Sequence, residues 1–127
     1  MKIAISANSG DPDRQFSSRF GRCSCFLVTD PEGETWQEID NPAADAQGGA
    51  GSQVVQLLAD HGVDAVISGR YGPNAYEALQ AAGMEAYLAR SGSARDLVRS
   101  FSDGELKLAS GPTGRGQHAG RGRGGRW

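Results

Sequence analysis

Asp64-Ala65-Val66-Ile67-Ser68, the connection Gly69-Arg70-Tyr71-Gly72, then Pro73-Asn74-Ala75-Tyr76-Glu77-Ala78-Leu79-Gln80-Ala81-Ala82-Gly83 and Met84-Glu85-Ala86-Tyr87-Leu88 form the stretch that decides the fold. The first five residues predict a buried strand, since the run is short, apolar and punctuated by Gly69. Pro73 suits the first turn of a helix, where its missing N–H costs nothing. Ala75, Tyr76, Leu79 and Ala82 then give that helix one apolar face, and Gly83 ends it. Met84 to Leu88 is a further strand. A strand, a helix and a strand joined by such short connections can pair only in parallel, with a right-handed crossover.

Working outward, Lys2 to Ala7 predicts a strand, with Ile3 and Ile5 on one face. Asn8 to Asp13 is dense in turn formers, and a polar, arginine-bearing stretch follows from Arg14 to Arg22. Cys25 to Asp30 reads as a central strand because it is nearly all apolar. Pro31-Glu32-Gly33 turns it into Thr35 to Asp40, a hairpin partner polar enough for a sheet edge. Asn41 to Gly51 is loop. A helix then runs to about His61, with Ala50, Val54, Leu57 and Leu58 on one face and Gly62 at its end. Ser93 with Asp96 resembles a capping box. Ala94, Leu97, Val98 and Phe101 continue that helix to Gly104. The order β-β-β-α-β-α-β-α predicts an α/β domain with a mixed five-stranded sheet and helices packed on it.

A chain of 127 residues has room for one core. The domain is expected over residues 1–108, with 109–127 as a disordered Gly/Arg-rich tail, because no periodic apolar face follows Ala109. Net charge is −2, but unevenly divided: all 15 acids and nine of the 13 basic side chains lie within residues 1–110, and the rest are Arg115, Arg121, Arg123 and Arg126. An acidic body makes nucleic acid an unlikely partner for it, though a basic tail could take one. No run approaches the ~20 apolar residues that span a bilayer, and the N-terminal apolar run is too short for a signal peptide. The expected location is the cytoplasm, with reduced thiols and no membrane partner.

Cys23-Ser24-Cys25 contains both cysteines. If that segment is extended, residues two apart share a face, and two thiols would project side by side at the sheet's end. Soft thiolates suit Fe–S, Mo–S, copper(I) or zinc sites. Two cysteines cannot complete a tetrahedral site alone, so sulfides of the cofactor, a second chain or His118 would have to contribute. The same pair also fits two small apolar side chains in a half-buried strand. The loops at the strands' carboxyl ends, Ala7 to Phe16, Gly69 to Asn74 and Ala89 to Ser93, lie where open α/β sheets bind ligands. Two of them run into helix N-termini, and Arg70 and Arg90 add charge that would favour an anion. Tight turns capping two helices would give the same glycines. Gly48 to Gly51 matches neither dinucleotide nor P-loop spacing. His61 is accounted for by its place at a helix end. No catalytic constellation is evident.

Ser17-Ser18-Arg19-Phe20-Gly21-Arg22, Phe26-Leu27-Val28, Asn41-Pro42-Ala43-Ala44, Gly48-Gly49-Ala50-Gly51 and Gly72-Pro73-Asn74-Ala75 occur in that order. Together they resemble the dinitrogenase iron–molybdenum cofactor biosynthesis family over about residues 1–108. The resemblance implies a three-layer α/β/α, ribonuclease-H-like fold. It also implies a non-enzymatic role: binding, carrying or assembling an anionic metal–sulfur cluster, either Fe–S or Mo-containing. Partners would be cluster-assembly or cluster-accepting proteins. Relatives linked to nitrogenase often have histidine at the position of Arg19, so the motif here departs to Arg19-Phe20-Gly21. The expected cofactor-binding residues are Arg19, Phe20, Gly21, Arg22, Arg70 and Arg90, with Cys23 and Cys25 as metal ligands. The alternatives are a nucleic-acid or protein-partner module working through the tail, since arginine-rich segments can fold on RNA, and an uncharacterised hydrolase.

Overall fold

Ile3–Ala7 (β1), Cys25–Thr29 (β2) and Ala65–Ser68 (β4) are buried along their whole length, as their apolar composition requires of strands inside a sheet. Gln37–Asp40 (β3) buries only Ile39 and lies at an edge. Glu85–Leu88 (β5) follows β4 in the sheet. The computed structural model describes residues 1–42 and 50–111. Residues 43–49 and the Gly/Arg-rich segment from 112, including His118, lie outside them.

The strand order is β3-β2-β1-β4-β5-β6. β1, β4 and β5 are parallel, as the strand–helix–strand stretch predicts. β2 pairs antiparallel with both β1 and β3, as the hairpin predicts. The sheet has six strands where five were expected. Lys107–Leu108 (β6) pairs antiparallel with β5, and the buried Ala109 donates its N–H to Ala86 O at 2.8 Å. Ala109 thus packs into the described core.

Strand alternation divides the interior into two cores. Ala4, Phe26, Val28, Ile39, Val66 and Ala86 face the helices Ala50–Asp60 (α1) and Pro73–Ala82 (α2). Ile3, Ile5, Ala7, Leu27 and Ile67 face Ala94–Ser102 (α3). The sheet thus lies between two helical layers. Gly83 terminates α2 at φ 76°, the left-handed geometry that favours glycine, and its N–H bonds to Gln80 O. Ser93 Oγ accepts the Asp96 N–H at 3.1 Å and caps α3. Among the described residues no helix is long and apolar enough to cross a membrane.

Candidate functional site

Because β1, β4 and β5 run the same way, the loops that leave them gather at one end of the sheet. The loop after β1 lies across that end like a belt. Its early part is tied to the β5–α3 connection and the first turn of α3: Arg95 N bonds Pro12 O, Phe16 N bonds Gly92 O, and Gln15 pairs with Ser93. Asp13 and Arg95 form an ion pair at 2.7 Å, and the Arg95 guanidinium lies 5.8 Å from the Trp36 ring centroid. Phe16 is buried in the α3 core and Phe20 in the α1/α2 core. Between them the belt crosses the strand ends, where Ser17 N bonds Ser6 O at 2.9 Å.

On the far side, Arg19 and Arg70 form a parallel bridge, and Phe20 N donates to Arg70 O at 3.4 Å. Each arginine is exposed, and each is followed by a fully buried aromatic that anchors it. Phe20 packs against Tyr71 at 5.3 Å and edge-on against Phe26 at 5.5 Å between ring centroids. The Tyr71 hydroxyl donates to Tyr87 O at 2.6 Å. Burial holds that phenol protonated by raising its pKa. The backbones approach so closely that a Cβ on Gly69 would stand 2.7 Å from Ser18 Cβ and 3.0 Å from its Cα. Residues opposed in a bridge share a face, so the two arginine side chains leave the backbone on the same side. Neither forms an ion pair with a described residue.

Of the expected site residues, the structure therefore brings Arg19 and Arg70 together. Phe20, Gly21 and Arg22 follow directly as a short 3-10 turn at the end of the arginine-bearing stretch, with Phe20 as its buried anchor and Arg22 exposed. Arg90 is exposed on the β5–α3 connection, whose bonds to the belt are at Gln15 and Phe16, away from the Arg19–Arg70 bridge.

The two thiols are not side by side. A bend at Ser24, whose N–H bonds Ala7 O at 3.1 Å, interrupts the extended geometry before β2 begins at Cys25. Cys23 then belongs to the α1/α2 core and Cys25 to the α3 core, at 1% and 2% exposure. Burial pushes the Cys23 thiol up to about 12. Burial also raises Cys25, to about 11, with the carboxylates of Glu38 and Asp40 adding to it. Both shifts favour the neutral thiol over the thiolate, which is the metal-binding form. Among the described residues no three His, Cys, Asp or Glu side chains form a metal-binding group.

Three residues outside the expected set organise this end. Asn41 is buried, and its amide donates to Gly21 O at 3.2 Å and Cys23 O at 2.8 Å, fastening the 3-10 turn to the end of β3. Ser6 and Ser68, both fully buried, have hydroxyls 2.7 Å apart at the ends of β1 and β4. A hydroxyl ending each of two otherwise apolar strands, and an asparagine between an edge strand and Pro42, were the signals available in the sequence. His61 Nδ1 lies 2.9 Å from Leu57 O, consistent with a helix-end role.

A sheet of this topology, with exposed arginines on the loops at its carboxyl end, defines the class of open α/β domains, whose ligands bind at those loops. The chain belongs to the dinitrogenase iron–molybdenum cofactor family, whose model matches residues 1–104. The chain is similar to the orange protein of Desulfovibrio gigas, whose apo form has been solved. The two are 34% identical, with a TM-score of 0.85 over 89% of this chain and 96% of that one. It is also similar to a NifB-type protein from Thermotoga, at 34% identity and a TM-score of 0.78 over 91% and 98%. An uncharacterised protein of Methanocaldococcus jannaschii is 32% identical over 110 residues, covering 84% of this chain and 90% of the relative.

Proposed function

We propose that the protein binds and carries an anionic metal–sulfur cluster or cofactor, Fe–S or Mo-containing, without catalysing a reaction of its own. The cluster is cargo, received from and handed to assembly or accepting proteins in the cytoplasm. The observation that carries this reading is the Arg19–Arg70 bridge, which sets two exposed arginines directly opposite each other, with no ion pair to an acidic side chain among the described residues. Family membership supports the chemistry of the cargo. The order β3-β2-β1-β4-β5 supports a ribonuclease-H-like description of the sheet, with β6 added at its edge.

A cluster that brings its own sulfide ligands needs charge and N–H groups from the protein more than it needs thiolates. Arg19 and Arg70 supply the charge, Arg22 flanks them on the 3-10 turn, and Gly21 leaves room for close approach. Arg90 extends the positive surface along the neighbouring loop. Ligation by Cys23 and Cys25 is the alternative mode, and it requires the belt to open and both thiols to ionise.

Anaerobic titration with tetrathiomolybdate tests the reading by its visible absorption. The parent protein should bind saturably. Each exposed guanidinium contributes about 1 kcal/mol or less, so Arg19→Ala/Arg70→Ala should weaken binding by up to about thirtyfold. Cys23→Ala/Cys25→Ala should bind much as the parent does. Loss of binding in the cysteine variant alone would favour the thiolate mode. Absence of uptake by the parent would overturn the carrier reading.

A further inference from the structure

We infer that Ser6 and Ser68 are positioning residues that set the register of the Arg19–Arg70 bridge, an inference that rests on the anion-binding role proposed for that pair. Continuing the β1–β4 register beyond Ile5 and Ile67 makes Ser6 and Ser68 direct cross-strand partners. Both are fully buried, and their hydroxyls are 2.7 Å apart. Ser6 Oγ also reaches Ser17 O on the belt, and Ile67 O at the longer distance of 3.5 Å. A serine hydroxyl has one proton. With that of Ser6 given to Ser17 O, its shorter carbonyl contact, Ser68 supplies the proton between the two hydroxyls. The result is a relay from Ser68 through Ser6 to Ser17.

The relay's ends decide what it positions. Ser17 lies two residues before Arg19, and its hydroxyl accepts the Arg19 N–H at 3.3 Å. Ser68 lies two residues before Arg70. Fixing Ser17 over Ser6 and Ser68 therefore sets Arg19 opposite Arg70. A slip of one residue would turn one guanidinium to the other face of the bridge. The backbone bond from Ser17 N to Ser6 O keeps the belt near β1, but the hydroxyls tie the belt to β4 as well.

Chemistry separates positioning from simple stability. Ser6→Ala leaves the buried Ser68 hydroxyl and Ser17 O without this partner, which costs stability as well as register. Ser6→Ala/Ser68→Ala removes both partners of the hydroxyl–hydroxyl bond, which can be nearly neutral for that bond, but it still leaves Ser17 O without its donor. The double variant should therefore regain the part of the thermal stability that Ser6→Ala loses at the Ser68 hydroxyl. Its tetrathiomolybdate affinity should nevertheless stay about fivefold below that of the parent, as if one exposed charge no longer took part. Native affinity in the double variant would overturn the inference. Amide hydrogen exchange supplies a readout independent of cargo. The Phe20 N–H should lose protection in the double variant, while the β1 and β4 amides keep theirs. Unchanged protection at Phe20 would refute the relay even if the parent binds no thiomolybdate. Lost protection in the double variant, with a parent that binds no thiomolybdate, would support the relay while refuting the anion-binding role.

Discussion

Gly69 shows how much the site depends on single atoms. A Cβ there would meet Ser18 at 2.7 Å from its Cβ, 3.0 Å from its Cα and 3.2 Å from its carbonyl oxygen, and two of those atoms are backbone that cannot rotate away. Gly69→Ala should force the two connections apart, costing roughly 1–3 kcal/mol of stability and weakening tetrathiomolybdate binding with it. Chemical denaturation and the anaerobic titration would check both effects. Full stability would mean the belt yields freely. The buried thiols make a second prediction at this scale. Their raised pKa values favour the protonated form in the folded state, so their stabilising contribution is complete below the ordinary value of 9.0 and is lost as pH climbs from there through about 11 and 12. Thermal midpoints measured upward from pH 9 should fall more steeply for the parent than for Cys23→Ala/Cys25→Ala. Parallel curves would show that the thiols ionise as easily folded as unfolded.

Among the elements, α3 and the β4–α2 connection bear on different parts of the strand-end surface. α3 begins at Ser93, whose side chain satisfies the Asp96 N–H, and the adjoining loop bonds Phe16 and Gln15. Ser93→Ala should cost about 1 kcal/mol of stability but leave affinity nearly unchanged, because the Arg19–Arg70 bridge is anchored elsewhere. Tyr71 is the contrasting case. It is buried beside Phe20, and its hydroxyl ties the β4–α2 connection to β5. Tyr71→Phe leaves Tyr87 O without that donor and should cost about 1–3 kcal/mol. Equal effects of the two variants on thiomolybdate affinity would argue against a site localised at the bridge.

For the molecule as a whole, the balance of charge matters. A chain of net charge −2 that binds an anion must do so through local fields, which are screened over ~8 Å at physiological ionic strength. Raising ionic strength about tenfold should therefore weaken thiomolybdate binding severalfold. Salt-independent affinity would point instead to buried ligation. Much of the architecture was legible in the sequence, because it is written in local signals. Apolar runs located β1, β2, β4 and β5, helical periodicity located three helices, and Gly83 and Ser93 marked their ends. These features depend on neighbours within about four residues. β6 was not legible, since Lys107 and Leu108 are exposed and become a strand only by pairing with β5. The candidate site was legible as a set of residues more than as an arrangement. Arg19 and Arg70 could be chosen from charge and loop position, but their pairing depends on contacts between segments some fifty residues apart. Spacing alone put both thiols on one face, and the bend at Ser24 placed one in each core. The sequence by itself determined the order of elements, the parallel crossovers and the supply of arginines, because propensity and patterning act locally. Only tertiary structure decided which arginines meet and where the cysteines lie, because a belt's path is set by the distant strand ends and loops that bind it.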